Sequence, residues 1–279
     1  MLERKIQEEL IQKGRAFTMG YTDGDPYGED FESDQELKLP QPPLCKAPMR
    51  PQECRISLTR DFSGLEMKNQ LIDLIRDRKS SRIFTQEAIG LDALSFLLWA
   101  TQGVKALRGK AYATLRTVPC GGARHEFETY LIVRNVDGLE PGRYHYLPME
   151  HALEYLGPIA EAEAVITETL SGQSWAAKAN VVFYWSMVPY RAEWRYGIYA
   201  HRIALVDIGH VGQAMYTACT GLGLGCCGIG AFSHERCAEL FELDGVEEYI
   251  VYTTPVGTVR EQDKESEQAF YRFVEEEGL

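Results

Sequence analysis

One segment of this chain constrains its fold more than any other: ANVVFYWSMV, residues 179–188. If the segment is extended, apolar side chains lie on both of its faces, because successive residues of a strand point in opposite directions. A strand that is apolar on both faces lies inside a sheet and not at its surface. The sequence therefore predicts a protein built around a sheet, with this segment as a central strand.

Helical and strand patterns interleave around this segment. Helices are predicted where apolar residues recur at helical spacing, and strands where short apolar runs are bounded by turns. The helical patterns cover residues 2–13, 67–77, 91–103, 159–171, 199–220 and 233–243, and the strand patterns cover 129–133, 143–147, 153–156 and 247–257. No long block is purely helical or purely extended. The predicted class is therefore α+β with α/β character, a sheet flanked by helices.

Composition excludes several classes of protein. The 279 residues are 45% hydrophobic and 25% charged, as in an ordinary soluble globular protein. Acidic residues exceed basic ones by 41 − 29 = 12, which disfavours nucleic-acid binding. No stretch reaches the roughly 20 apolar residues that a membrane span needs. Residues 1–14 lack the apolar core of a secretory signal, and the seven cysteines form no disulfide or metal pattern. We therefore expect a cytoplasmic protein without a bound metal.

The chain is expected to divide into three parts. Residues 1–60 form an N-terminal arm, whose proline-rich strip LPQPPLCKAPMRP (39–51) favours extended backbone. Residues 61–260 form the main domain, and residues 261–279 form an acidic tail. The arm either lies over the main domain or serves as a recognition segment for another protein.

A basic cluster in this acidic chain is the first candidate site. In RDRKSSRIF, residues 76–84, guanidinium groups are mixed with hydroxyls, the combination that binds phosphate. The cluster also follows a predicted helix, and a helix C-terminus favours cations through its dipole. A phosphate site and a basic helix end without a ligand therefore remain alternatives of equal weight.

Two glycine-rich segments are further candidates. The paired glycines of TVPCGGARHEFE (117–128) would let the backbone approach a flat ligand and present amide donors, although a plain turn fits the same residues. LGLGCCGIGAF (222–232) is predicted to be a glycine-broken strand or turn. It lacks the strand–GxGxxG–helix context of dinucleotide-binding folds, so its amides would face a ligand of another kind. No hydrolase or metal-ligand motif stands out.

Taken together, these segments resemble the nitroreductase superfamily of FMN enzymes. The branch they resemble most is the SagB-type dehydrogenases, which includes the thiazoline and oxazoline oxidases of peptide biosynthesis. The matching segments are LPQPPL (39–44) for the entry segment, RKSSRIF (78–84) for an Arg-x-Ser-x-Arg motif, VPCGGARHEFE (118–128) for a Pro-Ser-Gly-Gly loop, and residues 193–232 for a long helix and flavin-edge turn.

The resemblance implies a nitroreductase-like mixed sheet flanked by helices, in an intertwined homodimer with FMN at the subunit interface. Small residues along the helical pattern 199–220 agree with this, because they would let a second helix approach closely. These small residues are Ala204, Gly209, Gly212, Ala214 and Ala218.

The resemblance also implies which residues hold FMN. Arg78 and Ser80 would bind its phosphate, and Arg82 would face the pyrimidine side of the flavin or the ribityl chain. Arg260 is the candidate for a second phosphate ligand, with Lys264 as the alternative. Beside the flavin ring, the resemblance implies the loop residues Pro119, Cys120, Gly121, Gly122 and Arg124, and at its N5 edge the backbone amides of Gly230 and Ala231.

Two departures from the family pattern bear on the chemistry. Cys120 stands where the family usually has a serine, so a hydroxyl donor is replaced by a weak one. Arg195 and Tyr196 stand where the azoline oxidases have a Lys-Tyr pair that acts as base and acid, and arginine stays protonated. We therefore expect Tyr196 to donate or accept a proton and Arg195 to anchor an anionic substrate or a cofactor phosphate. A surface or interface pair fits these two residues equally well.

The function implied is that of an FMN-dependent oxidoreductase, which moves hydride between the flavin N5 and NAD(P)H or a small organic substrate. One alternative is an azoline dehydrogenase that acts on a peptide, against which the missing lysine argues. The other is a flavin-binding but catalytically silent subunit that scaffolds a complex, which the proline-rich arm and the missing base favour.

Overall fold

The computed structural model describes residues 4–19 and 31–260, together with residues 272 and 276. Within these ranges the helices are α1 (Arg4–Met19), α2 (Leu71–Asp77), α3 (Leu91–Gln102), α4 (Ala162–Thr169), α5 (Pro189–Tyr196), α6 (Ala200–Gly221) and α7 (His234–Phe241). The strands are β1 (Arg55–Ser57), β2 (Val104–Arg108), β3 (Ala113–Arg116), β4 (Phe127–Val133), β5 (Gly142–Leu147), β6 (Ala152–Gly157), β7 (Val181–Met187), β8 (Leu224–Cys226) and β9 (Tyr249–Thr258).

A seven-stranded sheet forms the centre of the molecule, with the strand order β1-β6-β5-β4-β7-β9-β8. The segment predicted to be a central strand is β7, which pairs with β4 on one side and β9 on the other. The predicted α+β class is confirmed. Every pair in this sheet is antiparallel, where the resemblance implied a mixed sheet. Short turns join β4, β5 and β6, and a short turn can only reverse the chain.

Helices cover both faces of the sheet, and β7 shows why. All seven of its residues are buried, and their side chains alternate between two cores. Phe183 and Trp185 pack on the side of α3 and α6, whereas Val182 and Tyr184 pack on the side of α4 and α7. The burial of both faces explains the continuous apolar run in the sequence.

Some elements have no clear pattern in the sequence. The hairpin of β2 and β3 lies outside the main sheet, and most of β2 is exposed, so it shows no alternation of apolar and polar residues. Helix α5 has only eight residues and begins at Pro189, a residue that suits the first turn of a helix. A helix of two turns is too short to show a helical period.

Residues 35–50 of the N-terminal arm lie over the main domain, whereas α1 has no buried residue. The Gln35 amide donates to the Trp194 carbonyl (2.8 Å), and the Met49 amide donates to Glu154 Oε2 (2.9 Å). The Lys46 amide donates to a buried carboxylate, Glu128 Oε1, at 2.7 Å. Residues 20–30 of the arm, which include the acidic positions 23, 25, 29 and 30, and most of the acidic tail lie outside the described residues. No helix among those described is long and apolar enough to cross a membrane.

Candidate functional site

The predicted site residues lie in two groups, one towards each end of α6. The first group, called here the arginine cluster, comprises Arg78, Ser80 and Arg82 with Tyr216 of α6. The second group, called the glycine-loop cluster, comprises residues 119–124 with Arg195, Tyr196 and Asp207 of α6. Nine residues separate the two α6 side chains, which corresponds to about 14 Å along a helix.

Tyr216 organises the arginine cluster. Its hydroxyl lies 3.0 Å from Ser80 Oγ and accepts a hydrogen bond of 2.8 Å from the Gly228 amide. The Arg78 guanidinium lies over the Tyr216 ring, 5.4 Å from its centroid. The tyrosine therefore joins the basic segment that follows α2 to the glycine-rich segment that follows β8.

The charge of this cluster is only partly compensated. Arg78 is exposed and forms no ion pair with any carboxylate among the described residues. The Arg82 guanidinium lies over the Trp175 ring at 5.8 Å, and Arg260 contacts Glu87 at 3.3 Å on the surface. A cavity of about 370 Å³ adjoins the same segment, but it is lined by the alternating residues Asp77, Lys79 and Ser81 and not by Arg78, Ser80 or Arg82. The cations and the hydroxyl of the cluster are suited to bind a phosphate group.

The backbone amides of Gly230 and Ala231 are available to a ligand, whereas the Ala231 carbonyl accepts a bond from Gln173 Nε2 at 3.1 Å. Both residues are exposed, and their amides have no hydrogen-bond acceptor in the described part of the chain. A Cβ atom built at Gly230 would meet no other atom within 4 Å, so open space adjoins the backbone there. The predicted contact of these amides with a flavin stays a prediction, and their geometry leaves room for it.

The glycine-loop cluster is mostly half-buried and densely hydrogen-bonded. The Cys120 thiol lies 3.2 Å from Glu126 Oε2 and 3.3 Å from Asp207 Oδ2, and it accepts a bond from the His125 amide. The Gly121 amide donates to Asp207 Oδ2 at 2.8 Å. These bonds fix the loop that the sequence predicted to run beside a flat ligand.

Burial shifts the pKa values of Cys120 and of the adjacent Glu126. It raises the pKa of the Cys120 thiol far above its ordinary value, with Glu126 and Asp207 acting in the same direction. It also raises the pKa of Glu126 to about 7, again with the help of Asp207. Cys120 is therefore a protonated thiol that donates to carboxylates and not a reactive thiolate. The ligand atoms of these three residues lie within 4.8 Å of one another, and hydrogen bonding already accounts for that closeness.

Gly122 lies directly against the predicted catalytic pair. Its φ is +54°, and a Cβ atom at this position would lie 2.5 Å from Arg195 Cδ and 2.8 Å from the Tyr196 hydroxyl. The positive φ and the short distances to Arg195 and Tyr196 together favour glycine at this position. The structure therefore brings together the loop and the Arg195–Tyr196 pair, which are more than 70 residues apart in the sequence.

Two arginines of this cluster differ in how they are held. Arg124 is buried, lies 4.8 Å from the Tyr112 ring centroid, and donates to the Gly122 and Tyr112 carbonyls. Arg195 is half-buried, and its Nη1 donates to Gln35 Oε1 (2.9 Å) and to the Tyr112 hydroxyl (3.0 Å). The Arg124 guanidinium thus donates hydrogen bonds within the chain. Its predicted contact with a cofactor stays a prediction.

Four residues around these clusters are not among those predicted from the sequence: Gln35, Tyr112, Asp207 and Tyr216. Asp207 carried a signal, since it is a carboxylate at a helical position between the buried Ala204 and Val211. Tyr216 is a large polar side chain among small residues of the same helix. Gln35 and Tyr112 carried no signal, because their contact joins residues 77 positions apart.

Comparison with known proteins identifies the class. The model of the Nitroreductase family matches residues 75–258. A protein of Methanocaldococcus jannaschii whose name assigns it to the nitroreductases is 31% identical over 188 residues, which are 67% of this chain and 90% of that protein. The chain belongs to the nitroreductase family, as the resemblance implied.

Solved structures agree on the fold. A structure from Ralstonia eutropha, described as a nitroreductase, has a TM-score of 0.61 and 24% identity, and the match covers 80% of this chain and 99% of that one. A chain of the Escherichia coli microcin synthetase McbBCD complex, with truncated pro-MccB17 bound, has a TM-score of 0.55 and 17% identity over 92% of this chain and 93% of that one. At such identities these likenesses show the nitroreductase-like fold alone.

Proposed function

We propose that this member of the nitroreductase family is an FMN-dependent oxidoreductase, which passes hydride between the flavin N5 and NAD(P)H or a small organic substrate. Membership of the family makes the chain an oxidoreductase. The observation that carries the finer proposal is the arginine cluster. There Arg78, which has no carboxylate partner among the described residues, lies beside the Ser80 hydroxyl in a chain of formal charge −12.

The residues present fit FMN. Arg78, Ser80 and Arg82 supply the charge and the hydroxyl donor that a phosphate group requires. The free amides of Gly230 and Ala231 supply donors for the edge of a flavin ring, and the space at Gly230 is open. FMN, when bound, supplies the two-electron chemistry, and the protein supplies binding, orientation and electrostatics.

The division of the site into two clusters supports a homodimer. An antiparallel pairing of α6 with α6 of a second copy would bring the arginine cluster of one protomer towards the glycine-loop cluster of the other. Leu205 and Val206 of α6 are 58% and 59% exposed, and Gly209 has no neighbour where its Cβ would be. An exposed apolar stripe with a glycine at its centre is suited to close helix packing.

Tyr196 and the amides of the glycine-rich segment have distinct roles in this proposal. The Tyr196 hydroxyl, against Gly122, would hold or accept the proton that accompanies hydride transfer. The amides of Gly230 and Ala231 would stabilise negative charge at the ring edge, because they point at a fixed position and need no reorganisation. Arg195 keeps its proton and so acts by charge alone.

Two alternatives to this proposed function have weaker support. The microcin synthetase complex holds a peptide, which gives some support to a peptide substrate or to a role as a subunit of a complex. Arg195 in place of the lysine argues against azoline oxidation by the family mechanism, because arginine cannot act as the base. A cytoplasmic location is also proposed, and seven free cysteines are consistent with a reducing compartment.

The test is the bound flavin and its reduction. Purified protein should be a dimer by light scattering, carry one non-covalent FMN per chain, and lose its yellow colour when NADH or NADPH is added without oxygen. A protein that is colourless and does not take up added FMN would overturn the proposal. A yellow dimer that neither nicotinamide nucleotide nor other donors reduce would favour the silent subunit.

A further inference from the structure

Arg195 is the best candidate for a group that recognises the substrate, because only one edge of its guanidinium is used. Nη1 makes both of its hydrogen bonds, to Gln35 and to Tyr112. The Nε and Nη2 groups have no acceptor in the described parts of the chain. These two nitrogens form the edge of a guanidinium that binds a carboxylate or a phosphate through two parallel hydrogen bonds.

The free edge of Arg195 distinguishes it from the other anchored arginines. Arg50, Arg55, Arg134 and Arg191 each form an ion pair with a glutamate. Arg116 and Arg124 have neutral partners, as Arg195 does, but both use Nε and Nη2 for bonds within the chain. Arg195 bonds an amide oxygen and a phenol oxygen through Nη1, which fixes its orientation and leaves the Nε–Nη2 edge for an external anion.

Gln35 and Tyr112 form a rigid support for this arginine. Gln35 Nε2 donates to the Tyr112 hydroxyl at 2.9 Å, so the two acceptors of Arg195 also bond each other. Gln35 comes from the N-terminal arm and Tyr112 from the turn between β2 and β3. The support therefore exists only when the arm lies on the domain, where the Gln35 amide bonds the Trp194 carbonyl.

The guanidinium lies at the proposed reaction site. Its Cδ and Nε approach Gly122, whose backbone also contacts the Tyr196 hydroxyl. An anion bound at the free edge of Arg195 would therefore lie beside the loop that is proposed to border the flavin, next to the proposed proton donor.

We propose that Arg195 binds an oxyanion on the molecule that approaches the flavin, and that Gln35 of the arm is its positioning residue. This inference rests on the proposed function. The oxyanion is either a carboxylate of the electron acceptor or a phosphate of NAD(P)H, since both present the same pair of oxygens to a guanidinium. The arm thus contributes to specificity and is more than a cover for the domain.

The decisive variant is Gln35→Glu, which keeps the shape and the acceptor oxygen but neutralises the guanidinium. Gln41→Glu is the matched control, because Gln41 lies in the same arm and bonds the Ala111 carbonyl but not Arg195. Arg195→Gln and Arg195→Lys complete the set. Lysine keeps the positive charge but cannot donate two parallel hydrogen bonds, so Arg195→Lys should retain part of the preference for a charged ligand.

Two electron acceptors of similar shape distinguish recognition of the negative charge from steric fit: 4-nitrobenzoate and its neutral amide, 4-nitrobenzamide. We expect the ratio of their kcat/KM values to fall at least tenfold in Gln35→Glu and in Arg195→Gln, and to be unchanged in Gln41→Glu. If NAD(P)H is the source of the oxyanion, its KM should instead rise by a similar factor in the same two variants. If neither quantity changes in either variant, the inference is overturned.

A binding measurement separates this inference from the proposed function. Calorimetric titration of the purified protein with benzoate and with benzamide requires no turnover and no flavin reduction. Benzoate should bind at least tenfold more weakly to Gln35→Glu than to the native chain, with benzamide unaffected, if the acceptor carries the oxyanion. Absence of FMN would overturn the proposed function, while the titrations and the KM values address Arg195 separately.

Discussion

The two ends of α6 present similar kinds of residue in opposite environments. At the arginine cluster, Arg78 is exposed and a cavity adjoins the basic segment, and the amides of Gly230 and Ala231 have no acceptor among the described residues. At the glycine-loop cluster, hydrogen bonds to Asp207 hold the loop, and only Arg195 keeps an edge of its guanidinium for an external anion. Glu126, which contacts Cys120 of the loop, is completely buried. The first region is open to a ligand, whereas the loop of the second is a fixed support.

We expect this difference between the two clusters to separate ligand binding from folding stability. An open cluster of cations contributes little to folding, so substitutions there should alter ligand binding and leave stability unchanged. A buried cluster of hydrogen-bonded carboxyls and a glycine with positive φ should do the reverse. Three experiments test this division, and they are arranged from the largest expected effect to the smallest.

The largest effect should come from Glu126→Gln and should depend on pH. The pKa of Glu126 is about 7 in the folded chain against an ordinary value of 4.5, so between these values the folded state binds the proton more tightly. The free energy of unfolding of the native chain should therefore fall as pH rises from about 4.5 to 7. The glutamine variant should lack this decline, so its stability relative to the native chain should rise by up to about 3 kcal/mol.

Denaturant unfolding at several pH values between 4 and 8 measures this difference. Glu36→Gln is a suitable control. Hydrogen bonds from Ser33 lower the pKa of Glu36, so this carboxyl should stay ionised in the folded chain between pH 4.5 and 7. Parallel curves for the native chain and Glu126→Gln would show that the buried carboxyl does not titrate in this range.

The second effect should come from Arg78→Ala and should appear in ligand binding. Loss of a charge-assisted contact with phosphate weakens FMN binding by roughly 1.5–3 kcal/mol, which is about 10- to 150-fold. Arg76→Ala is the control, because Arg76 pairs with Asp73 on the same exposed surface. Fluorescence titration of flavin-free protein gives both affinities. Equal FMN affinities for the two variants would mean that the phosphate lies elsewhere.

The smallest effect should come from Gly122→Ala. An L-residue at φ +54° costs about 2 kcal/mol, and the new Cβ would also displace Arg195. Gly230→Ala is the matched change at the open end of α6, where nothing lies near the Cβ, and its stability should stay within about 0.5 kcal/mol of the native value. Similar melting temperatures for the two variants would contradict the proposed division between support and binding surface.

The residues of the open cluster are grouped in the sequence itself, whereas the support of Arg195 is not. Arg78, Ser80 and Arg82 lie within five residues, so their proximity is visible as a local pattern, and their role in binding FMN stays a prediction. The bonds from Arg195 to Gln35 and Tyr112 span 160 and 83 residues and exist only after folding. Local patterns also predicted β7 and α6, whose burial leaves a long apolar or small-residue pattern. They did not predict the exposed strand β2 or the two-turn helix α5.

The seating of the arm on buried glutamates has a practical consequence for anyone who shortens this protein. Glu128 and Glu154 accept hydrogen bonds from the backbone of residues 46–50, so a version that starts after residue 50 would remove part of the hydrogen bonding of two buried carboxylates and leave their other partners, Arg191 and His145. Such a truncation should lower the stability of the fold, although it retains the whole segment that defines the family.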